Sequence, residues 1–316
     1  VFTMLVLMAL VTTFATTPVL NLVYPDAELV KDTLAGASVA VPAQATPFTV
    51  MMCVSDAAVG PGLAVVSAAL LGERKAPSSL LALHLWRPSE LPSADLRRDA
   101  ERVEDGPLKP LLERSKELSL QVKPLAFISA EPSKDICETA EAKQASLVLL
   151  GAHKPLWLEG RLGGTVTEVV SNSKRPVAVL LDRGLQQIKR VLVAYAGGPE
   201  DRAALELARR LGRAPGVELT MLHVVPPGRA EEPGHGRAQV AELLSNEAVA
   251  SAGQNARMVQ LKGVEHESPA EAVLDEARDY DLVVLGMNTR WVDDRAISLR
   301  RRRVMKESPV SILVVH

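Results

Sequence analysis

The chain opens with 25 residues that include no acidic, basic or histidine side chain, and its first formal charge is Asp26. An uncharged apolar run of about 20 residues is long enough to cross the hydrocarbon core of a bilayer as a helix. A buried helix of this length in a globular protein would normally carry a polar stripe, but this run offers little beyond its five threonines. Residues 1–25 are therefore predicted to form a transmembrane helix, with Asn21 and Tyr24 at the membrane interface.

A secretory signal peptide is the alternative explanation of this run. Such a peptide has a basic start, a shorter apolar stretch and a cleavage site between small residues. No Lys or Arg precedes the run, and the residues before Tyr24 are large. Because the chain begins with Val1 rather than Met, we expect it to be a piece of a longer protein, with this segment as the last helix of a membrane bundle.

Residues 8–18 of this segment read Met-Ala-Leu-Val-Thr-Thr-Phe-Ala-Thr-Thr-Pro. This stretch resembles the final transmembrane helix of bacterial and plant monovalent cation:proton antiporters of the cation/H+ exchanger type. The resemblance covers under a tenth of the chain. It implies that the remainder is the regulatory tail of a transporter, and that the acidic transport residues lie on helices outside this chain.

A connector over residues 26–46 contains Pro and Gly, and after it apolar strands alternate with amphipathic helices. This order indicates a parallel α/β architecture. Each predicted strand is apolar on both faces, as expected for a sheet that helices cover on both sides. The strands predicted in the first half are residues 48–55, 79–86, 120–129, 146–150 and 176–181.

The same order of five strands then repeats, and the glycines that end the two fourth strands, Gly151 and Gly286, are 135 residues apart. Two copies of one five-stranded unit, residues 47–183 and 188–316, are the economical interpretation. The apolar last strands would invite aggregation if left as edges, so the copies are expected to pack together through them. The strands predicted in the second half are residues 189–195, 217–225, 257–261, 281–285 and 310–315.

Composition narrows the classes of function. A net charge of −2 gives no general attraction to nucleic acid, and 3% aromatic residues argue against a base-stacking platform. Cys53 and Cys137 lie far apart without a CxxC motif, so they are interpreted as buried or idle thiols. Since nothing indicates a structural disulfide, the part of the chain after the membrane is predicted to be cytoplasmic.

The candidate ligand site follows the fourth predicted strand. There Gly163 and Gly164 lead into a helix start, next to Thr165. Glycines let backbone N–H groups approach a phosphate, and a helix N-terminus adds a favourable dipole. In an open parallel sheet a ligand is expected at the carboxyl ends of the strands, where Asp56 ends the first strand and is placed to meet the sugar or base of a nucleotide.

The spacing of these residues resembles the universal stress protein family, whose ATP-binding members carry Gly-x2-Gly-x9-Gly-Ser/Thr after strand four. Gly151 takes the first place, and Gly164 with Thr165 follows thirteen and fourteen residues later. Lys154 replaces the second glycine and can contact a phosphate directly, while Asp56 matches the family's acidic residue after strand one. The resemblance covers the two copies and implies Rossmann-like universal stress protein domains, with ATP or a related nucleotide in the first domain only.

The second copy lacks these features, because the loop after Gly286 has no later glycines and its first strand ends without an aspartate. The alternative for the first copy is a tight connection in which the glycines serve only the turn. The four arginines 300–303 are interpreted as a solvated helix face, with docking onto lipid headgroups or an acidic partner as the alternative. No catalytic arrangement stands out, so the chain is predicted not to be an enzyme.

The leading hypothesis is that the chain is the C-terminal fragment of a membrane Na+ or K+:proton antiporter, whose tandem domains act as a cytoplasmic nucleotide sensor. The expected partners are the rest of the transporter's membrane domain, the membrane and a second copy in a homodimer, but no nucleic acid. One alternative is a tandem universal stress protein that binds nucleotide without transport. Another is a structural dimerisation module in which both nucleotide sites are dead.

Overall fold

The computed structural model describes residues 47–72, 78–88, 106–152, 164–197, 199–225, 227, 259–287 and 299–316. The predicted transmembrane helix over residues 1–25, the connector over 26–46 and a helix predicted over 237–251 lie outside these residues. Among the residues described, no helix is both long and apolar enough to cross a membrane. Residues 47–316 belong to one compact unit.

The first half of this unit alternates strands with helices, as predicted. A short 3-10 helix over Ala57–Val59 precedes its first α-helix and is capped by the Asp56 side chain. The elements are β1 (Phe48–Cys53), α1 (Gly60–Leu71), β2 (Ser78–Trp86), α2 (Lys109–Glu117), β3 (Val122–Ile128), α3 (Pro132–Ala142), β4 (Leu147–Gly151), α4 (Gly164–Asn172) and β5 (Val177–Leu181).

The second half repeats the pattern, with one correction to the prediction. The strand predicted over residues 257–261 is observed at Gln260–Glu265, where it pairs with residues 220–225; residues 257 and 258 lie outside the described residues, and the end is four residues later than predicted. The elements are β6 (Arg190–Ala194), α5 (Pro199–Leu211), β7 (Glu218–Val225), β8 (Gln260–Glu265), α6 (Pro269–Ala277), β9 (Leu282–Gly286), α7 (Leu299–Glu307) and β10 (Ser311–Val315).

The ten strands of the described chain form one sheet, in the order β3-β2-β1-β4-β5-β10-β9-β6-β7-β8. Every neighbouring pair is parallel except β5 and β10, which are antiparallel. The predicted parallel-dominated α/β fold is thus confirmed. Within each half the strand order reverses once, between β1 and β4 and between β6 and β9, and such switch points are where α/β sheets hold ligands.

The sheet has a hydrophobic core on each face. In β1, Val50 and Met52 enter one core, while Met51 and Cys53 enter the other, because successive side chains of a strand point to opposite faces. Helices α1, α2 and α5 cover the first core, and α3, α4, α6 and α7 cover the second. Both cores contain side chains from both halves, so each core is continuous across the two halves.

The two halves meet at the last strand of each. Val179 lies opposite Val314, and the backbones of Val177 and His316 exchange hydrogen bonds of 3.0 and 2.8 Å. Every residue of β5 and β10 is buried. The expected packing through the last strands is therefore observed, and it occurs within one chain.

A second contact between the halves lies where α5 meets α1. The Arg210 guanidinium carbon lies 3.2 Å from the centroid of the Phe48 ring, and Arg210 Nε donates to the carbonyl of Leu70 at 3.0 Å. Burial, together with the nearby charge of Arg213, lowers the pKa of Arg210 to about 10. The guanidinium is still charged at neutral pH, so this cation–π contact is maintained there.

The connection between the halves is held to the sheet by Asp182. Its Oδ1 accepts hydrogen bonds from the backbone N–H groups of Gly184 and Leu185, at 3.0 and 2.8 Å. The same oxygen accepts from the hydroxyl of Ser311 at 3.0 Å, at the start of β10. The hydroxyl oxygen of Ser311 in turn accepts from the backbone N–H of Arg183 at 2.8 Å. One carboxylate thus joins the end of β5, the connection and β10.

We expect Asp182→Ala to destabilise the chain by roughly 1–3 kcal/mol, because it removes three hydrogen bonds to one oxygen, two of them from buried residues. Urea unfolding measures the change. Asp275→Ala is the matched control: among the described residues, the ion pair that Asp275 forms is an exposed one with Arg278 at 3.7 Å, so a loss below about 0.5 kcal/mol is expected there. Equal unfolding midpoints for the two variants would contradict this role of Asp182.

Candidate functional site

A cleft of about 1080 Å³ lies at the carboxyl ends of β1, β2, β3 and β4. It includes the switch point between β1 and β4. From this point the sheet continues through β2 and β3 on one side and through β5 on the other. Its described walls also include the turn from β3 into α3 and the first turns of α4. The volume is of the size of small-molecule sites, which run to about 1,000 Å³.

Two glycines of the predicted motif line the cleft, and they have different roles. A Cβ added at Gly151 would lie 2.5 Å from Val59 Cγ2, so this glycine is needed for close packing of the segment after β1. Among the described residues, a Cβ added at Gly164 would meet nothing within 4 Å. No described residue therefore requires glycine at position 164, and a group that enters the cleft can approach the α4 N-terminus there.

Thr165 and Arg87 join the N-terminus of α4 to the end of β2. Arg87 Nη2 donates a hydrogen bond to Thr165 Oγ1 at 3.2 Å, and both residues line the cleft. A guanidinium beside a helix N-terminus forms a suitable environment for a phosphate. Sequence reasoning missed Arg87. The available signal was its position, as the first charged side chain after the buried strand β2.

Asp56 lies beside the cleft rather than among the residues that line it. Its Oδ1 accepts a hydrogen bond from the backbone N–H of Ala58 at 2.9 Å, which caps the 3-10 helix after β1. Its neighbour Ser55 does line the cleft. The two remaining residues predicted for this site, Lys154 and Gly163, lie outside the described residues.

The ends of β1 and β2 are also joined by a histidine. His84 is buried, and its Nδ1 lies 2.7 Å from the carbonyl oxygen of Val54. Its ring packs edge-on to Trp86, with centroids 4.5 Å apart. His84 is also among the residues that line the cleft.

The two cysteines are free thiols, as interpreted from the sequence. Cys53 is buried at the end of β1 and lines the cleft, while Cys137 on α3 is partly buried. Burial raises the pKa of the Cys53 thiol far above its ordinary value, and burial with the nearby Glu141 and Glu138 raises that of Cys137. Both groups are therefore protonated and unreactive at neutral pH.

In the second half, charged side chains of the chain itself lie in the corresponding region. Asp201, only 2% exposed, accepts a hydrogen bond from the backbone N–H of Ala196 at 2.9 Å. Arg301 Nη2 reaches Glu200 Oε1 at 3.3 Å and Asp201 Oδ1 at 3.5 Å. A Cβ added at Gly286 would collide with the Glu200 carbonyl oxygen. The backbone of α5 at Glu200 therefore packs directly against the end of β9.

These contacts correct one interpretation of the sequence. Arg301 is ion-paired with α5 and its side chain is 27% exposed, so the four arginines are not a wholly solvated face. Arg303 pairs with Glu271 at 2.7 Å and with Glu307 at 3.1 Å. The carboxylates beside Arg301 occupy the switch point between β6 and β9, and they would repel an anionic ligand there.

The comparisons with known proteins agree with this fold. A family model described as the universal stress protein family matches residues 49–180 and again residues 187–316. The chain belongs to the universal stress protein family. It contains two such domains in tandem, and the resemblance noted in the sequence is confirmed.

Curated relatives of the chain are transporters. Cation/H(+) antiporter 17 and Cation/H(+) antiporter 18 of Arabidopsis thaliana are each 31% identical to it, over 264 and 267 residues. These matches cover 72% and 73% of this chain, but only 32% and 33% of the relatives. The chain therefore spans about a third of the length of the antiporters that it resembles.

Solved structures show the same fold. A universal stress protein from Archaeoglobus fulgidus DSM 4304 superposes with a TM-score of 0.56 at 17% identity, covering 84% of this chain and 95% of that one. A putative universal stress protein from Pseudomonas aeruginosa UCBPP-PA14 gives 0.53 at 15% identity, covering 86% and 94%. At these identities the similarity concerns the fold alone.

The charged cluster of the second half can be tested by Arg301→Ala. We expect a loss of roughly 2 kcal/mol in the free energy of unfolding, because the buried Asp201 carboxylate would lose this guanidinium. Arg300→Ala in the same helix turn is the control, since Arg300 is exposed, and it should change stability by less than about 0.5 kcal/mol. Urea unfolding at pH 7 compares the two, and equal stability would show that the cluster contributes nothing.

Proposed function

We propose that this chain is the C-terminal regulatory part of a membrane Na+ or K+:proton antiporter, and that its first universal stress protein domain binds ATP or a related nucleotide. Two findings support the transporter assignment: the similarity to cation/H+ antiporters over 72% of the chain, and the charge-free segment of residues 1–25. The observation that carries the nucleotide assignment is the cleft at the β1–β4 switch point, with the open Gly164 at a helix N-terminus.

The phosphates are assigned to the N-terminus of α4. The backbone N–H groups at Gly164 and Thr165 begin this helix and carry no intrahelical partner of their own in the first turn. Arg87 brings a fixed positive charge to the same place through its bond to Thr165. Gly163 and Lys154 complete this phosphate site in the proposal.

The sugar and base are assigned to the ends of β1 and β2. Cys53, Val54 and Leu83 form an apolar floor there, suited to the uncharged part of a nucleotide. Asp56 is exposed and only two residues from its hydrogen-bond partner, so its carboxylate can turn from the Ala58 N–H to a ribose hydroxyl at small cost. Gly151 supports the site indirectly, through its contact with Val59.

The second domain does not bind nucleotide in this proposal. Its switch point holds Glu200 and Asp201, with Arg301 as their counter-ion. A triphosphate would have to displace a guanidinium from a buried carboxylate and then approach that carboxylate, which is unfavourable. One nucleotide per chain is therefore expected.

Regulation follows from differential binding. A nucleotide shifts the transporter only if it binds one arrangement of the tandem domains more tightly than another. In the proposed carrier, residues 1–25 form the last membrane helix, residues 26–46 link it to the domains, and these domains lie on the cytoplasmic side. Homodimers of the carrier would use surfaces other than β5 and β10, because these strands already pair within the chain.

Calorimetric titration of the purified chain with ATP tests the site. We expect saturable binding of one ATP, reduced at least tenfold by Gly164→Val, because a valine there would block the approach of a phosphate to the helix N-terminus. Gly212→Ala is the matched control: a Cβ at Gly212 meets only ordinary contacts of 3.5 Å or more, and this position is remote from the cleft. Absence of saturable binding would remove the nucleotide assignment.

The same variants separate a transporter from a stress protein without transport. In vesicles that contain the full-length protein, we expect cation:proton exchange whose rate changes when ATP is added on the side of the tandem domains. Gly164→Val should abolish the response to ATP while leaving the exchange itself in place. ATP binding with no exchange under any cation gradient would support the tandem stress protein instead.

A further inference from the structure

The cleft has a second polar end, at the turn from β3 into α3. Ser129 follows β3 directly, lines the cleft and is only 2% exposed. Among the residues that the structure describes, its Oγ has no hydrogen-bond partner. Buried hydroxyl groups are nearly always satisfied, so this oxygen points to a polar group that enters the cleft.

A helix N-terminus lies at the same place. The eleven-residue helix α3 begins at Pro132, and its N-cap residue Glu131 makes no side-chain cap. Ser133 and Lys134 of the first turn line the cleft. Pro132 has no N–H and the N–H of Asp135 donates to the Glu131 carbonyl at 3.1 Å, so the N–H groups of Ser133 and Lys134 and the positive end of the helix dipole are what favour an anionic group beside Ser129.

Charges of both signs lie near this helix start: Asp135 is in the first turn of α3 but does not line the cleft, whereas Lys134 does. Lys134 Nζ lies 3.5 Å from Glu131 Oε2, and the two side chains are 62% and 69% exposed. Such an exposed pair is weak, so Lys134 is able to turn to a phosphate at little cost. Arg87, at the end of the neighbouring strand β2, adds a second positive charge. This charge offsets the negative charge of Glu168 on α4, which also lines the cleft.

The two anion positions are separated by an apolar floor. The ends of β1 and β2 lie between β4 and β3 in the sheet, and they contribute Val54, Leu83 and Leu85 to the cleft. Helices α3 and α4 pack against each other on one face of the sheet, and the first turns of both line the cleft. If a chain of linked phosphates spanned the two anion positions, its charges would lie over this apolar floor. A sugar that carries one phosphate on each side would place uncharged atoms there.

We propose that the cleft recognises a nucleoside with phosphate groups on both its 3′ and 5′ positions. One phosphate binds at the N-terminus of α4 with Thr165 and Arg87. The other binds at the N-terminus of α3 with Ser129 and Lys134, and the sugar lies over the apolar floor between them. This assignment rests on the proposed nucleotide site and names the class of ligand that fills it.

Calorimetric titration of the purified chain with AMP, ADP and adenosine 3′,5′-bisphosphate tests the assignment. ADP and the bisphosphate carry the same number of phosphates, but only the bisphosphate has them on opposite sides of the sugar. We expect the bisphosphate to bind at least about tenfold more tightly than ADP, because it alone fills both anion positions with charge-assisted hydrogen bonds. A bisphosphate that binds no more tightly than ADP would overturn this inference and leave the nucleotide site standing.

Variants at the second position complete the test. Ser129→Ala and Lys134→Ala should each bring the bisphosphate affinity down toward that of ADP, with no change for AMP or ADP. Lys143→Ala, at the opposite end of α3, is the matched control and should leave all three affinities unchanged. Equal losses for AMP and the bisphosphate in the Ser129 and Lys134 variants would also overturn the inference. If none of the three ligands binds, the proposed nucleotide function itself is wrong.

Discussion

The antiparallel pairing of β5 with β10 is the interaction on which the rest of this structure depends. Each half alone would be a five-stranded sheet with an exposed, wholly apolar edge, and such edges lead to aggregation. Pairing converts both edges into the centre of one sheet. Because the pair is antiparallel, the strands of the two halves run in opposite directions, and their carboxyl ends lie at opposite margins of the sheet. The cleft and the Glu200–Asp201–Arg301 cluster are therefore well separated.

The two halves share one fold but differ in what packs against the ends of their fourth strands, β4 and β9. Both strands end in a glycine that allows close backbone packing, at Gly151 against Val59 and at Gly286 against Glu200. The uncharged side chain of Val59 takes this position in the first half, beside the cleft. In the second half the backbone of Glu200 takes this position, and the carboxylates of Glu200 and Asp201 pair with Arg301 of α7. In our proposal, the first half binds the nucleotide and the second half does not.

The central strands could be predicted from the sequence because residues buried on both faces leave an unmistakable apolar run. The edge strand β8 could not be placed as well, since four of its six residues are exposed and its register is fixed by pairing with β7. The motif around Gly164 was found through its spacing. Arg87 and Ser129 were missed because each follows a different strand, and only the strand order brings them to one cleft. No local sequence pattern shows that these two residues lie in the same cleft.

Native-state hydrogen exchange is the most direct test of the central pairing. If β5 and β10 form the middle of one sheet, their amides should be among the slowest to exchange and should share a single free energy of opening, close to that of global unfolding. This applies to Val177–Leu181 and Ser311–Val315 alike. Exchange of one of these strands orders of magnitude faster than the other would show that the halves open separately, and would contradict the account.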